Sequence, residues 1–230
     1  MRLYPMRRID DDIDIWYERD YTVIGLYSID GFFTRRNLIA LSILKRKIET
    51  AASSRSYLLF AFTAIIQIAS RMSSFRFDSR NPQNTAGGIL KGALYIPSLS
   101  KEARITELYS RKVRGLARLA KNNYRDGQIL LGVQSTTTLS AIGNSVDYVF
   151  LDPPFGSNII YSDLSLPWET WLRVETATAE EAVVHRKKRN NPTTEKMYGH
   201  LMLRSLRVAF SMLRPGHWIS IEFSNTKASI

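Results

Sequence analysis

The chain has no cysteine in 230 residues, which excludes disulfide cross-links and thiolate metal centres and fits a reducing, cytoplasmic setting. Histidine is scarce too. His185, His200 and His217 lack the short spacings of zinc ligands, so no protein-bound metal is expected. Long apolar runs are missing: the longest, residues 57–69, is too short to span a bilayer and includes Gln67, so it reads as a buried helix, with no membrane as partner. Residues 1–27 mix acids and bases without an apolar centre, unlike a secretory signal. Acids are outnumbered, 21 against 32 lysines and arginines, and the resulting net charge of +11 gives a field that attracts polyanions, nucleic acid first. What remains is ordinary for a globular protein: 44% hydrophobic and 23% charged residues in a chain long enough to bury a sizeable core.

One segment stands apart. Asp147-Tyr-Val-Phe-Leu-Asp-Pro-Pro-Phe-Gly156 joins a run of strand-formers, residues 148–151, to prolines that cannot continue a ladder, so the chain is expected to leave a sheet at Asp152. Each proline fixes its own φ and biases the preceding residue toward extended geometry, leaving Asp152 and Pro153 little loop entropy to lose. The expected result is a carboxylate, free carbonyls and an aromatic ring, all preset.

Such a loop suits chemistry on an amino group. The lone pair of an aromatic amine is delocalised into its ring, and acceptors on its N–H bonds favour the pyramidal form that can attack a methyl sulfonium. Asp152 and the carbonyl of Pro153 are the candidate acceptors, Pro154 stiffens the turn, and Phe155 is the candidate stacking surface for a base flipped out of its duplex. A plainer reading is a strand-ending turn in which Asp152 caps a helix and Phe155 belongs to the core.

The segment resembles the amino-methyltransferases of DNA, the N6-adenine and N4-cytosine class, whose signature is Asp/Asn/Ser-Pro-Pro-aromatic at the end of the fourth strand. More narrowly, it looks like a family of large bacterial and archaeal DNA methylases. The likeness runs through Ser145-Val-Asp-Tyr-Val-Phe-Leu-Asp-Pro-Pro-Phe-Gly-Ser-Asn158, Tyr161-Ser-Asp-Leu164 and Trp168-Glu-Thr-Trp-Leu172. It continues in Leu213-Arg-Pro-Gly-His-Trp218 and Glu222-Phe-Ser-Asn225, with an earlier echo in Phe32-Phe-Thr-Arg-Arg-Asn-Leu38. The resemblance implies methylation of adenine N6 or cytosine N4 in DNA with S-adenosyl-L-methionine as donor, and Asp152, Pro153, Pro154 and Phe155 as catalytic residues. Candidate DNA contacts follow the loop: Asn158, whose side-chain amide can hold it, and Tyr161, which with Ser162 and Asp163 can order it or touch the flipped nucleotide, a helix N-terminus capped by Ser162 or Asp163 being the plainer reading. Arg186, Lys187, Lys188 and Arg189 lie where such enzymes often place target-recognition or backbone-gripping loops.

The sequence also departs from that family. Its members bind the cofactor on a first-strand loop of the type Asp-Pro-Phe-x-Gly-x-Gly-Thr and usually hold the ribose with an acid after the second strand; neither is found here. Gly87, Gly88 and Gly92, the only close glycine cluster, follow Asn81-Pro82 in a polar loop and do not sit between a strand and a helix. After the third strand a polar residue, usually Asp, touches the cofactor adenine in the family; Gln134 and Ser135 fill that place and are the candidate cofactor-binding residues. The expectation is a fragment that begins after the cofactor loop and stops short at Ile230. A second polypeptide carrying that loop is a partner this reading allows besides DNA.

Patterning along the chain predicts an α/β protein: a partial Rossmann-like, doubly wound, mostly parallel sheet in residues 101–230 behind a mainly helical segment, residues 1–100. Thr34 reads as an N-cap, and Leu38, Leu41, Ile43, Leu44 and Ile48 recur at helical spacing up to about residue 50. Further helices are expected over residues 56–72, 100–123 and 197–213, the second with Ile105, Leu108, Val113, Leu116 and Leu119 as its buried stripe. Strands are expected over residues 128–134, 148–151 and 218–223, with shorter ones at 21–26 and 94–96, and a short helix or turn over 136–142. Ligands in open sheets bind beyond the carboxyl ends of the strands, so Gln134, Asp152, Ser224 and Asn225 are expected to converge.

Other residues have plainer readings. Trp168 and Trp171 fit a core or a lid better than a stacking platform. The acids of residues 175–181 read as a solvated helix start. Arg111, Lys112, Arg114, Arg118, Lys121 and Arg125 are either a DNA-facing stripe or the solvated face of a surface helix. The main alternative to an enzyme is a catalytically inactive nucleic-acid-binding fragment. A third reading keeps the chemistry but moves it to RNA or a protein glutamine amide.

Overall fold

The computed structural model describes residues 6–7, 25–51, 53–77, 80, 88–90, 94–121, 129–139, 143–156, 159–184 and 195–224. Within them the chain is a mixed α/β protein with five α-helices and a two-stranded parallel sheet. The helices are α1 (Arg35–Glu49), α2 (Arg55–Ile66), α3 (Ile105–Lys121), α4 (Tyr161–Leu172) and α5 (Glu195–Met212). The strands are β1 (Val146–Leu151) and β2 (Leu213–Ile221). The chain divides into two compact units, one of residues 1–126 with 163–176, the other of residues 127–162 with 177–230.

The first unit is helical. Thr34 caps α1 as expected, its Oγ1 accepting the Asn37 amide at 3.2 Å, and Leu38, Leu41 and Ile48 are buried while Ile43 is exposed. α2 ends earlier than its apolar run suggests. From Gln67 the chain turns instead: Ser70 Oγ donates to the Gln67 carbonyl at 2.6 Å and the Arg71 amide to the Phe32 carbonyl at 2.7 Å. The short strand expected over residues 94–96 is not formed; the local pairing is an isolated antiparallel bridge between Ser74 and Ser100. The core is built around Trp171, whose ring meets Phe62 and Phe33 edge-on with centroids 5.7 and 5.9 Å apart. Trp168 is half-buried and donates its Nε1–H to the Thr63 carbonyl at 2.9 Å. Both tryptophans are thus structural. Tyr109, on α3, donates to the Leu58 carbonyl at 3.1 Å, and burial pushes its hydroxyl pKa up.

The second unit holds the sheet. Tyr148, Val149, Phe150 and Leu151 pair in parallel with Trp218, Ile219, Ser220 and Ile221, and the Glu222 amide extends the ladder to the Leu151 carbonyl at 2.9 Å. Between the pairs Val146–Leu213 and Tyr148–Trp218, β1 advances two residues while β2 advances five, so Arg214, Pro215, Gly216 and His217 bulge out. Gly216 accommodates the bulge at φ +79°. A parallel pair needs a long crossover, and here α5 leads directly into β2. The start of β1 is tied to the end of that helix, the Asn144 and Ser145 amides donating to the Ser211 and Met212 carbonyls at 3.2 and 2.9 Å.

The strand expected over residues 128–134 is not formed over its described residues, 129–134. Residues 129–135 have no regular structure, and Leu130 and Val133 are 97% and 107% exposed. An apolar run gains from strand geometry only when its side chains are covered, and nothing among the described residues covers these. The segment at 136–138 is a turn, with Thr136 Oγ1 2.8 Å from Ser205 Oγ on α5. Residues 175–181 are not a helix start: they contain a 3-10 turn, Thr178–Glu180, and Glu181 accepts from the Ser162 amide and hydroxyl at 3.0 and 2.6 Å. Most of the possible strand at 21–26 lies outside the described residues.

Candidate functional site

The residues around Asp152 are placed by the end of β1. Paired on β2 as far as Leu151, the chain leaves the sheet at Asp152, as two successive prolines require. Three contacts then fix the turn. The Tyr198 hydroxyl, from the first turn of α5, donates to the Pro154 carbonyl at 2.7 Å; the Gly156 amide donates to the same carbonyl at 3.2 Å; the Val184 amide donates to the Gly156 carbonyl at 3.1 Å. Gly156 is buried with φ +58°, a left-handed conformation that a Cβ would strain.

What this leaves available is a carboxylate. Asp152 is exposed and makes no hydrogen bond or ion pair with the described residues, and the same holds for the Pro153 carbonyl. The Pro154 carbonyl is spent on the loop itself. Phe155 is half-buried and meets Phe223 edge-on, centroids 5.6 Å apart and planes at 84°. Phe223 follows the end of β2, so the aromatic pair and Asp152 gather at the carboxyl end of both strands, where open parallel sheets place their ligands. An acceptor pair beside an aromatic surface can hold a flat amine by its N–H groups.

The remaining candidates are dispersed. Gln134 and Ser135 lie on the exposed irregular segment rather than at a strand end, with Ser135 Oγ 2.8 Å from Thr137 Oγ1. Tyr161 opens α4 and is exposed. Ser162 and Asp163, read as caps or nucleotide contacts, are buried in the first turn of that helix. Asn158, Arg186, Lys187, Lys188, Arg189 and Asn225 lie outside the described residues. At the other end of β1, Asp147 pairs with Arg214 and lies 3.4 Å from His217 Nε2, an ion-pair cluster remote along the strand from Asp152.

Tyr198 and Phe223 were missed by sequence reasoning as site residues. Phe223 carried a signal, a large aromatic at the end of the apolar run expected as a strand over residues 218–223; it lies two positions past the end of β2. Tyr198 carried none, because a tyrosine near the start of a long helix has no spacing that announces its partner.

No family model matches the chain, and neither a curated protein nor a solved structure matches it. Among the described residues no group of three or more His, Asp or Glu side chains could hold a metal ion, and no helix is long and apolar enough to cross a membrane.

Proposed function

We propose that this chain carries the amine-positioning part of a DNA amino-methyltransferase site, within a Rossmann-like sheet of which β1 and β2 are the parallel centre. One observation carries the reading: an exposed carboxylate, paired with none of the described residues, on an Asp-Pro-Pro-Phe turn at the carboxyl end of a parallel strand. Asp152 accepts one N–H of the exocyclic amine of adenine or cytosine, the Pro153 carbonyl accepts the other, and Phe155, backed by Phe223, stacks on the flipped base. The net charge of +11 supports a nucleic acid as the substrate.

The implied methyl donor is S-adenosyl-L-methionine. The described residues do not fit it: Gln134 and Ser135 are exposed on an irregular segment, and no glycine-rich turn joins a strand to a helix among them. That mismatch favours a second reading, a nucleic-acid-binding chain without turnover.

Transfer of labelled methyl groups from S-adenosyl-L-methionine to duplex DNA by the purified chain separates the two. Transfer that falls at least about a hundredfold in Asp152→Ala, with DNA binding intact, supports the site, since a positioned acid–base group contributes at least that much. Transfer that survives Asp152→Ala, or no transfer by the wild-type chain even with a second polypeptide that carries the cofactor loop, removes the enzymatic reading.

A further inference from the structure

Helix α3, in the other unit, sorts its residues by face. Ile105 is buried, and Leu108, Tyr109 and Leu116 are half-buried. At 3.6 residues per turn, Arg111, Arg114 and Arg118 fall within an arc of about 60° on the opposite side, in a row about 10 Å long. All three are exposed, and none forms an ion pair with the described residues. The acid that shares their face, Glu107, is held by Arg104 at 3.0 Å, and no other acid follows in the helix.

This arrangement costs the isolated helix stability. Arg111 with Arg114 and Arg114 with Arg118 are like-charge neighbours at three and four residues, each destabilising by a few tenths of a kcal/mol. Gly115 sits among them in the helix interior, where glycine is worse than alanine by about 1 kcal/mol. A Cβ at that position would meet nothing within 4 Å, so packing does not demand the glycine. An extended polyanion explains both features: anions in a row relieve the repulsion, and a bare Cα lets a sugar–phosphate chain come close to the helix.

We propose that the Arg111, Arg114 and Arg118 face of α3 is a docking surface for the phosphate backbone of duplex DNA. The choice of DNA among polyanions rests on the methyltransferase reading; the cationic face itself does not. Contacts of this kind position a duplex without reading its sequence.

The test is fluorescence anisotropy of a labelled random-sequence duplex across a KCl series. It compares the wild-type chain with the triple variant Arg111→Gln, Arg114→Gln, Arg118→Gln. A control triple variant, Arg46→Gln, Lys47→Gln, Arg204→Gln, removes the same charge from exposed positions on α1 and α5. Circular dichroism confirms that both variants fold. The α3 variant is expected to bind at least tenfold more weakly and to lose about 2.7 from the slope of log K against log salt, about 0.9 per phosphate contact. The control keeps most of both. Equal losses in the two variants, no loss in either, or a wild-type chain that binds the duplex no better than it binds polyglutamate, each overturns the proposal. Methyl transfer is read separately, so failure at Asp152 leaves the salt slope untouched and failure at α3 shows in the slope.

Discussion

The Tyr198 hydroxyl donates to the Pro154 carbonyl across 2.7 Å, linking the first turn of α5 to the turn that presents Asp152. Tyr198 is itself buried and Pro154 half-buried, so the bond is partly shielded from water. Because the Gly156 amide reaches the same carbonyl at 3.2 Å, the peptide after Pro154 is held from two directions.

Tyr198→Phe removes one of those holds and nothing else of size. Loss of this part-buried hydrogen bond is expected to cost about 1 kcal/mol in stability, read by urea unfolding. The proposed methyl transfer is expected to fall roughly tenfold in kcat with KM little changed, since small misplacements of a reacting group are costly. A variant with wild-type kcat would show that the bond supports the fold and does not position Asp152.

Trp171 governs the other unit. It is fully buried between Phe33 and Phe62, both in edge-on contact. Trp171→Ala is expected to cost about 3–5 kcal/mol through lost burial and the cavity left behind, and Trp171→Phe, which keeps one ring, about half as much. Urea unfolding of the three proteins checks the order. Equal losses in the two variants would show that a smaller ring restores none of the packing, against the account in which the cost follows the volume left empty.

Local patterns were legible in the sequence where they decide their own outcome. The Thr34 cap, the apolar spacing of α1 and the exit of the chain from β1 at Asp152 all follow from neighbours a few residues away. What was not legible depends on distant partners. Residues 129–134 have strand-type side chains, yet they stay irregular because no described strand lies against them. β2 begins five residues before the apolar run that predicted it, because the bulge from Arg214 to His217 keeps Leu213 in register with Val146. At the candidate site the carboxylate and the prolines announced themselves, while Tyr198 entered only through the packing of α5.

Glu49 gives the chain one acid-sensitive contact. Its carboxylate accepts from Lys45 Nζ at 2.8 Å, and that hydrogen bond holds its pKa below the ordinary value of 4.5 against an opposing push from burial, with the charges of Lys45, Arg173 and Arg55 adding to the lowering. A carboxyl whose folded pKa is depressed stabilises the fold fully above its unfolded pKa and loses that contribution as the pH falls through the folded value. Glu49 is partly exposed and follows Lys45 by four residues, the less favourable order, so the contribution is small, about 0.3–0.5 kcal/mol. Glu49→Gln keeps an acceptor for Lys45 but removes the charge. Its melting temperature is expected to lie about 1 °C below wild type at neutral pH. The gap should begin to close near pH 4.5 and vanish at more acid pH, where both proteins carry an uncharged side chain at this position. A gap of constant size down the whole titration would assign the difference to packing of the side chain, and the ion pair with Lys45 would then contribute nothing.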